Sequence, residues 1–179
     1  NGWTFTWIVT AIGGRHVCLR KVEPVTVFRL ITEEGVTFLC AAPTVLIALA
    51  NAPADQKAGV PRGVRVLTAG APPAPATIQR IEDDLGWVVT QLYGLTETSP
   101  LMTICEVLPE HDRLSPHDRA RLKARQGVEQ LTGGEVQVVD AENVEVPADG
   151  ETRGEIVVRG NVVMAGYYND PEATAAAMG

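Results

Sequence analysis

The 179-residue sequence is poor in the residues on which several large enzyme classes depend. It has only two serines, three histidines and three lysines. Neither serine lies in a G-x-S-x-G motif, no lysine follows glycine and precedes Ser or Thr as in a P-loop, and no G-x-G-x-x-G is present. The histidines are not spaced as zinc ligands. The classical hydrolase, P-loop and dehydrogenase classes therefore lack their residues.

Positive charge and cysteine are scarce as well. Lys and Arg total 15 against 22 Asp and Glu, a net charge of −7 with no basic stripe, so nucleic acid is not an expected partner. The three cysteines, Cys18, Cys40 and Cys105, are odd in number and far apart, which indicates a reducing compartment. The apolar stretch Trp7–Gly14 is too short to cross a bilayer. We therefore predict a cytoplasmic protein without a transmembrane segment.

The first half of the sequence alternates strand and helix patterns. Apolar runs predict strands at Val36–Cys40, Val64–Leu67 and Trp87–Leu92, and a short β-prone run lies at His16–Leu19. Proline in the first turn marks the predicted helices that begin at Pro24, Pro43 and Pro75, and glycine ends two of them, at Gly35 and Gly86. This alternation predicts an α/β fold, with a parallel sheet flanked by helices and ligands bound where the strands end.

The second half has a different pattern. The segment Glu110–Gln126 is predicted to carry a charged helix, with Ser115 at its N-cap, Pro116 in its first turn and Lys123 among the basic residues of its outer face. Strand patterns at 136–139 and 155–159 then predict a smaller antiparallel β subdomain. We therefore expect an α/β subdomain, a charged helical connection and an antiparallel β subdomain, with bounds of 1–109, 110–130 and 131–179.

Two loops that follow predicted strands carry the remaining candidate chemistry. In the first, Gly70, Ala71 and Pro72 are small enough to let a flat ring approach the backbone, although the same residues suit an ordinary turn. The second runs from Gln91 to Thr98. In a parallel sheet both loops would lie side by side at the carboxyl edge.

The second loop offers a side chain for each part of a nucleotide. Tyr93 can stack on a ring, Gly94 permits close approach, Thr96 can donate to a phosphate oxygen, and Glu97 can hold a divalent cation. Thr96 and Glu97 also suit the start of a helix. Taken singly, these features are weak, and their order and spacing are what give them weight.

That order resembles the adenylate-forming superfamily, which comprises acyl-CoA synthetases, luciferases and the adenylation domains of peptide synthetases. The family motif Y-G-x-T-E stands here at residues 93–97, and a G-A/G-x-P loop at 70–72. A downstream glycine-rich motif is matched by Gly154-Glu155-Ile156, Gly160, Gly166-Tyr167, Asn169 and Thr174, and the start of the chain, Asn1-Gly2-Trp3, resembles the helix start before the acyl pocket. The resemblance covers essentially the whole chain.

The resemblance implies a role for each matched residue. Tyr93 would stack on adenine, Thr96 would contact the α-phosphate and Glu97 would bind Mg²⁺, so that Thr96 and Glu97 are the candidate catalytic residues. The residues implied to bind nucleotide are Gly70, Ala71, Pro72, Gln91, Leu92, Tyr93, Gly94 and Thr96, and those implied to bind the acyl group are Trp3, Gly94 and Leu95. The downstream motif is expected to shape turns, with no catalytic role for its side chains.

The substrate interpretation rests on the start of the chain. Residues 1–22 contain no Asp or Glu to pair with the ammonium group of an amino acid, and the aromatic residues there suit an apolar tail, although they also suit core packing. The charged segment at 110–126 resembles the fatty acyl branch. We therefore predict activation of a medium- or long-chain fatty acid by ATP to acyl-AMP and then to acyl-CoA, with ATP, Mg²⁺ and CoA required and a homodimer compatible with this function.

Several parts of the family pattern are not found in these 179 residues: the phosphate loop, the ribose-binding aspartate, the hinge and the domain with the catalytic lysine. We therefore interpret the sequence as an internal piece of a longer protein and expect the piece alone to be inactive. Two alternatives remain. One is an AMP-binding module without catalysis, and the other is an aryl- or acyl-acid adenylating enzyme of the same superfamily.

Overall fold

The computed structural model describes residues 2–178, which form two compact units. The first unit comprises the described chain up to Tyr93 together with Thr103–Val128, and the second comprises Gly94–Met102 together with the chain from Glu129 onward. Asn1, the first residue of the opening motif, lies outside the described residues, as does Gly179.

The first unit has a sheet flanked by helices. Its helices are α1 (Phe5–Ala11), α2 (Pro24–Glu34), α3 (Pro43–Ala50), α4 (Ala54–Lys57), α5 (Pro75–Leu85) and α6 (Pro116–Lys123), with 3₁₀ turns at Gly2–Thr4 and Pro109–Arg113. The strands of the five-stranded sheet, in the order in which they lie side by side, are β1 (Phe38–Cys40), β2 (Arg65–Thr68), β3 (Val88–Tyr93), β4 (Thr103–Cys105) and β5 (Val128–Glu129), of which Glu129 is counted in the second unit. The predicted α/β class is confirmed.

The sheet is mixed rather than wholly parallel, which corrects the sequence prediction. Strands β1, β2 and β3 run parallel, and β4 runs antiparallel to β3 with Gln91 opposite Cys105. Only residues 94–102 separate β3 from β4, whereas a parallel crossover needs on the order of a dozen residues or more. The short connection therefore forces the chain to turn back on itself.

Proline and glycine set the helix limits as the sequence predicts. Helices α2, α3 and α5 each have proline in the first turn, where the missing N–H costs no hydrogen bond. Gly35 and Gly86 end α2 and α5 in the left-handed region, both with φ of 63°. Ile78 and Ile81 of α5 are fully buried in the core between helices and sheet.

The run at His16–Leu19 forms no strand, so that prediction is wrong. The charged helix predicted within Glu110–Gln126 is α6, which has Ser115 as N-cap and Pro116 in its first turn, as predicted, and ends at Lys123. Pro116 explains the start of the helix, because proline disfavours a helical conformation at Ser115 and supplies no N–H to a preceding turn. Ser115 is instead extended, and its hydroxyl accepts a hydrogen bond from Asp118 N as an N-cap.

The second unit contains a two-stranded antiparallel sheet. Strand β6 (Glu135–Val139) pairs with β7 (Glu155–Arg159), with Val139 opposite Glu155. A 3₁₀ turn at Thr96–Thr98 and helix α7 (Pro171–Met178) complete the unit. The smaller antiparallel β subdomain predicted from the alternating valines is confirmed.

Candidate nucleotide-binding site

In the first unit, the loop after β2 lies beside the end of β3. The two strands are parallel and adjacent, with Thr68 opposite Gln91. Gly70, two residues after the end of β2, has a φ of +91°, a conformation that favours glycine. The structure therefore brings Gly70, Ala71 and Pro72 to the same sheet edge as Gln91, Leu92 and Tyr93, six of the residues implied to bind nucleotide. Tyr93 is only partly buried.

Two buried polar side chains lie opposite each other just before this edge. Thr68 is 0% exposed and Gln91 is 1% exposed, and Thr68 Oγ1 and Gln91 Oε1 have no hydrogen-bond partner among the described residues. The Gln91 amide nitrogen is satisfied, because it donates to Leu92 O over 2.9 Å and to Gln126 Oε1 over 3.2 Å. Buried polar atoms are seldom left without a partner. The edge thus retains unused hydrogen-bonding capacity.

In the second unit, the loop that carries the other candidate residues is held by its own contacts. The buried Thr98 accepts a hydrogen bond from Leu95 N over 3.0 Å through its hydroxyl, which lies 3.1 Å from Leu95 O. Gly94 has no room for a side chain, because an added Cβ would overlap the Pro100 carbonyl and lie 2.7 Å from Leu101 Cα. The loop is therefore compact. Leu95 and Thr96 face solvent, where Thr96 is accessible to a phosphate.

Glu97 is bonded through both its backbone and its side chain to a distant segment of the second unit. Met164 N donates to the Glu97 carbonyl over 2.8 Å, and Tyr167 Oη donates to Glu97 Oε1 over 2.7 Å. The Tyr167 hydrogen bond lowers the pKa of the Glu97 carboxyl below its ordinary value, and the same bond raises the pKa of Tyr167. Glu97 is therefore an anion at neutral pH, and Tyr167 keeps its proton.

The Glu97 carboxylate meets the requirements of a magnesium ligand. It is ionised, and its second oxygen, Oε2, has no hydrogen-bond partner on any other residue within 2–178, since besides Tyr167 only the backbone N–H of Glu97 itself bonds to the carboxylate. The described residues contain no group of three or more His, Cys, Asp or Glu that could hold a metal ion. Mg²⁺ is commonly held by one or two carboxylates together with waters and substrate phosphates rather than by an all-protein cage. A single ionised carboxylate suits that mode of binding.

Trp3, the remaining residue implied to bind the acyl group, lies in the turn that precedes α1. Phe5, two residues further on, packs on Phe38 at the first residue of β1, with ring centroids 5.1 Å apart. No residue of α1 is buried, and Trp7 and Ile12 are strongly exposed. Their apolar side chains are therefore not part of the core of the first unit.

Comparison with known proteins identifies the family. The model of the family described as AMP-binding enzyme matches residues 1–168. The chain belongs to the AMP-binding enzyme family. It is 48% identical over 179 residues to "probable acyl-activating enzyme 4" of Arabidopsis thaliana, covering 99% of this chain and 32% of that protein. It is 44% identical to "2-methylpropanoate–CoA ligase CCL4" of Humulus lupulus (99% and 32%) and to "acetate/butyrate–CoA ligase AAE7, peroxisomal" of Arabidopsis thaliana (97% and 31%).

Solved structures of related proteins have the same fold. The amide bond synthetase McbA from Marinactinospora thermotolerans superposes with a TM-score of 0.76 at 30% identity, covering 94% of this chain and 32% of that one. The N-terminal domain of FACL13 from Mycobacterium tuberculosis gives 0.73 at 26% identity, covering 97% and 41%. The chain spans about a third of the length of the curated relatives it matches.

Two residues with clear structural roles in this site were not predicted from the sequence. Thr98 belongs to the matched run, but the resemblance implies no role for it. Tyr167 lies in a run whose glycines are expected to shape turns and whose side chains have no predicted catalytic role. The glycine-tyrosine pair at 166–167 was visible as a motif, but nothing local to it indicates a partner at residue 97.

No helix within residues 2–178 is long and apolar enough to cross a membrane. The cytoplasmic location stays a prediction.

Proposed function

We propose that this chain is part of an ATP-dependent acid–CoA ligase of the AMP-forming type. The observation that carries the proposal is the family loop at 93–97, in which Glu97 is an ionised carboxylate with one oxygen held by Tyr167 and the other not bonded to any other residue within 2–178. The substrate carboxylate attacks the α-phosphorus of ATP, the bond to pyrophosphate breaks, and an acyl-adenylate forms. The CoA thiolate then attacks the acyl carbon, and AMP leaves.

Each candidate residue has a proposed part in these steps. Tyr93 stacks on the adenine ring, next to the small residues at 70–72 that let the ring approach the backbone. The exposed hydroxyl of Thr96 donates to an α-phosphate oxygen. Glu97 holds Mg²⁺, which when bound neutralises charge that develops on the phosphates. Gly94, Leu95 and Trp3 are the proposed acyl contacts.

A simple aliphatic acid is the substrate class that we propose, with a medium- or long-chain fatty acid as the first candidate. The absence of Asp and Glu from residues 1–22 and the exposed apolar side chains of α1 support an acid that has an apolar tail and no ammonium group. A short-chain acid is the second candidate, because relatives in the same family are named for acetate, butyrate and 2-methylpropanoate.

The test is acid-dependent release of pyrophosphate by the full-length gene product, with a panel that runs from acetate through octanoate and palmitate to benzoate. Glu97→Gln is expected to lower the rate by about a hundredfold or more, since a charge-stabilising group is lost. Glu142→Gln, the same change at an exposed residue of the second unit, is the matched control and should retain the wild-type rate.

Three results would contradict the proposal in different ways. AMP binding without pyrophosphate release from any acid would favour the AMP-binding module. Faster release with aryl acids than with every aliphatic acid would overturn the substrate class. These 179 residues are about a third of the length of the relatives, so we propose that this polypeptide alone is inactive, and acyl-adenylate formation by it would contradict that statement.

A further inference from the structure

A second segment of the chain holds the loop that contains Glu97. Tyr167 bonds to the side chain of Glu97, and Met164 bonds to its backbone, with lengths of 2.7 Å and 2.8 Å. One contact fixes the peptide and the other fixes the carboxylate. Together they define both the position of the residue and the direction in which its side chain points.

Tyr167 is itself fixed by the residues that follow it. Its backbone N–H donates to Thr174 Oγ1 over 2.9 Å, and the Thr174 hydroxyl donates to Asp170 O over 2.7 Å. Gly166, with a φ of +147°, brings the backbone against the same threonine, because an added Cβ would lie 2.7 Å from Thr174 Cγ2. The tyrosine therefore starts from a backbone anchored to the first turn of α7, rather than from a free loop.

The geometry divides the two carboxylate oxygens between different tasks. Oε1 accepts the phenol hydrogen bond, and Oε2 has no hydrogen-bond partner on any other residue within 2–178, the remaining hydrogen bond to the carboxylate coming from the backbone N–H of Glu97 itself. Glutamate has three rotatable side-chain bonds, so a carboxylate held at one oxygen loses much less freedom when a cation binds at the other. We propose that Tyr167 is a positioning residue that aims Glu97 at the metal of the metal–nucleotide complex.

This inference rests on the proposed role of Glu97 in binding Mg²⁺. It goes beyond that role because it gives the tyrosine of the downstream motif a task in nucleotide binding. It also distinguishes Tyr167 from its neighbour Tyr168, whose side chain is 94% exposed, against 40% for Tyr167. Tyr168→Phe removes the same hydroxyl one residue away and is the matched control.

The experiment measures how strongly the metal and the nucleotide promote each other's binding. Isothermal titration calorimetry of the full-length gene product with α,β-methylene-ATP is carried out with saturating MgCl₂ and again in EDTA. The ratio of the two affinities reports the contribution of the metal. Tyr167→Phe should reduce that ratio by about tenfold, the low end for residues that orient a metal ligand, because the tyrosine is partly exposed. Its affinity in EDTA should equal that of the wild type.

Each outcome decides between specific statements. If Glu97→Gln leaves the ratio unchanged, the metal role of Glu97 fails and the inference fails with it. If Glu97→Gln abolishes the metal effect while Tyr167→Phe and Tyr168→Phe both match the wild type, only the positioning role is overturned. Equal loss of affinity with and without Mg²⁺ in Tyr167→Phe would indicate a merely structural role and would also overturn the inference.

Discussion

The buried charge pair between α5 and α6 should be the most sensitive polar contact of the first unit. The sequence predicts a solvated face for Lys123 on α6, but the residue is 3% exposed, and its ammonium group donates to Glu82 Oε1 on α5. The same oxygen accepts the N–H of Val89, over 3.2 Å. Strand β4 pairs with β3 only from Gln91 onward, so the Val89 amide has no strand partner there. Glu82 thus joins two helices to the strand that ends at Tyr93.

The burial of this ion pair determines how much free energy of unfolding should be lost when one partner is removed. Removing one partner of a buried ion pair costs about 3–5 kcal/mol, because the other charge remains desolvated. The Glu82 side chain is 12% exposed, and its other oxygen, Oε2, lies 3.8 Å from Arg119 Nη2, so some compensation for its charge remains when Lys123 is removed. We therefore expect Lys123→Met to lower the free energy of unfolding by about 3 kcal/mol. Glu82→Gln should cost a similar amount, and the double variant should cost less than the sum, because the contact is shared.

Urea unfolding followed by circular dichroism measures these free energies. Arg29→Met is the matched control, since it removes the same charge from an exposed pair with Glu33 one helical turn away. It should cost about 0.5 kcal/mol or less. If Lys123→Met destabilises the protein no more than Arg29→Met does, or if the Glu82 and Lys123 effects are additive, the argument from burial is refuted.

Three further predictions follow from local geometry. Gly94→Ala should lower both thermal stability and acid-dependent pyrophosphate release, because the Cβ overlaps the Pro100 carbonyl; unchanged release would show that the loop can shift. Hydrogen bonds from Thr152 lower the Asp149 pKa to about 2 from its ordinary 3.8. The stability that these bonds contribute is therefore present above pH 3.8 and is lost as the pH falls through 2. An NMR titration of the Asp149 carboxyl with a midpoint near 3.8 would contradict this. Burial raises the Cys40 pKa to about 11, so at pH 8 iodoacetamide should modify the exposed Cys18 before Cys40. Mass spectrometry of the modified peptides measures the order, and faster modification of Cys40 would contradict this prediction.

The sequence predicts those parts of the fold that depend on neighbouring residues. Proline at the start and glycine at the end of α2 and α5 act within one turn of chain, so the limits of these helices are correct. The same is true of β7, where the alternation is local. The order of the motifs likewise identified the family, since it needs no tertiary contact.

Predictions fail where a distant residue decides the structure. Lys123 carries a charge typical of a surface helix, and only the presence of Glu82, 41 positions earlier, makes its burial tolerable. The role of Tyr167 also depends on a distant residue, because its hydrogen-bond partner, Glu97, lies 70 residues earlier in the sequence. The direction of β4 follows from the short preceding connection, and the segment at 103–105 is too short, at three residues, for its own pattern to predict a strand.

The bonds between Glu97 and its supports also have a consequence for biosynthesis. A ribosome must add a further 70 residues after Glu97 before Tyr167 exists to bond to it. At cellular rates of synthesis that interval is roughly 4–14 s. Until then the nascent chain contains the whole Tyr93–Thr98 run without the group that orients its carboxylate. A polypeptide that ends before Met164 would therefore carry the family motif in its sequence and lack both bonds from the 164–167 segment to Glu97.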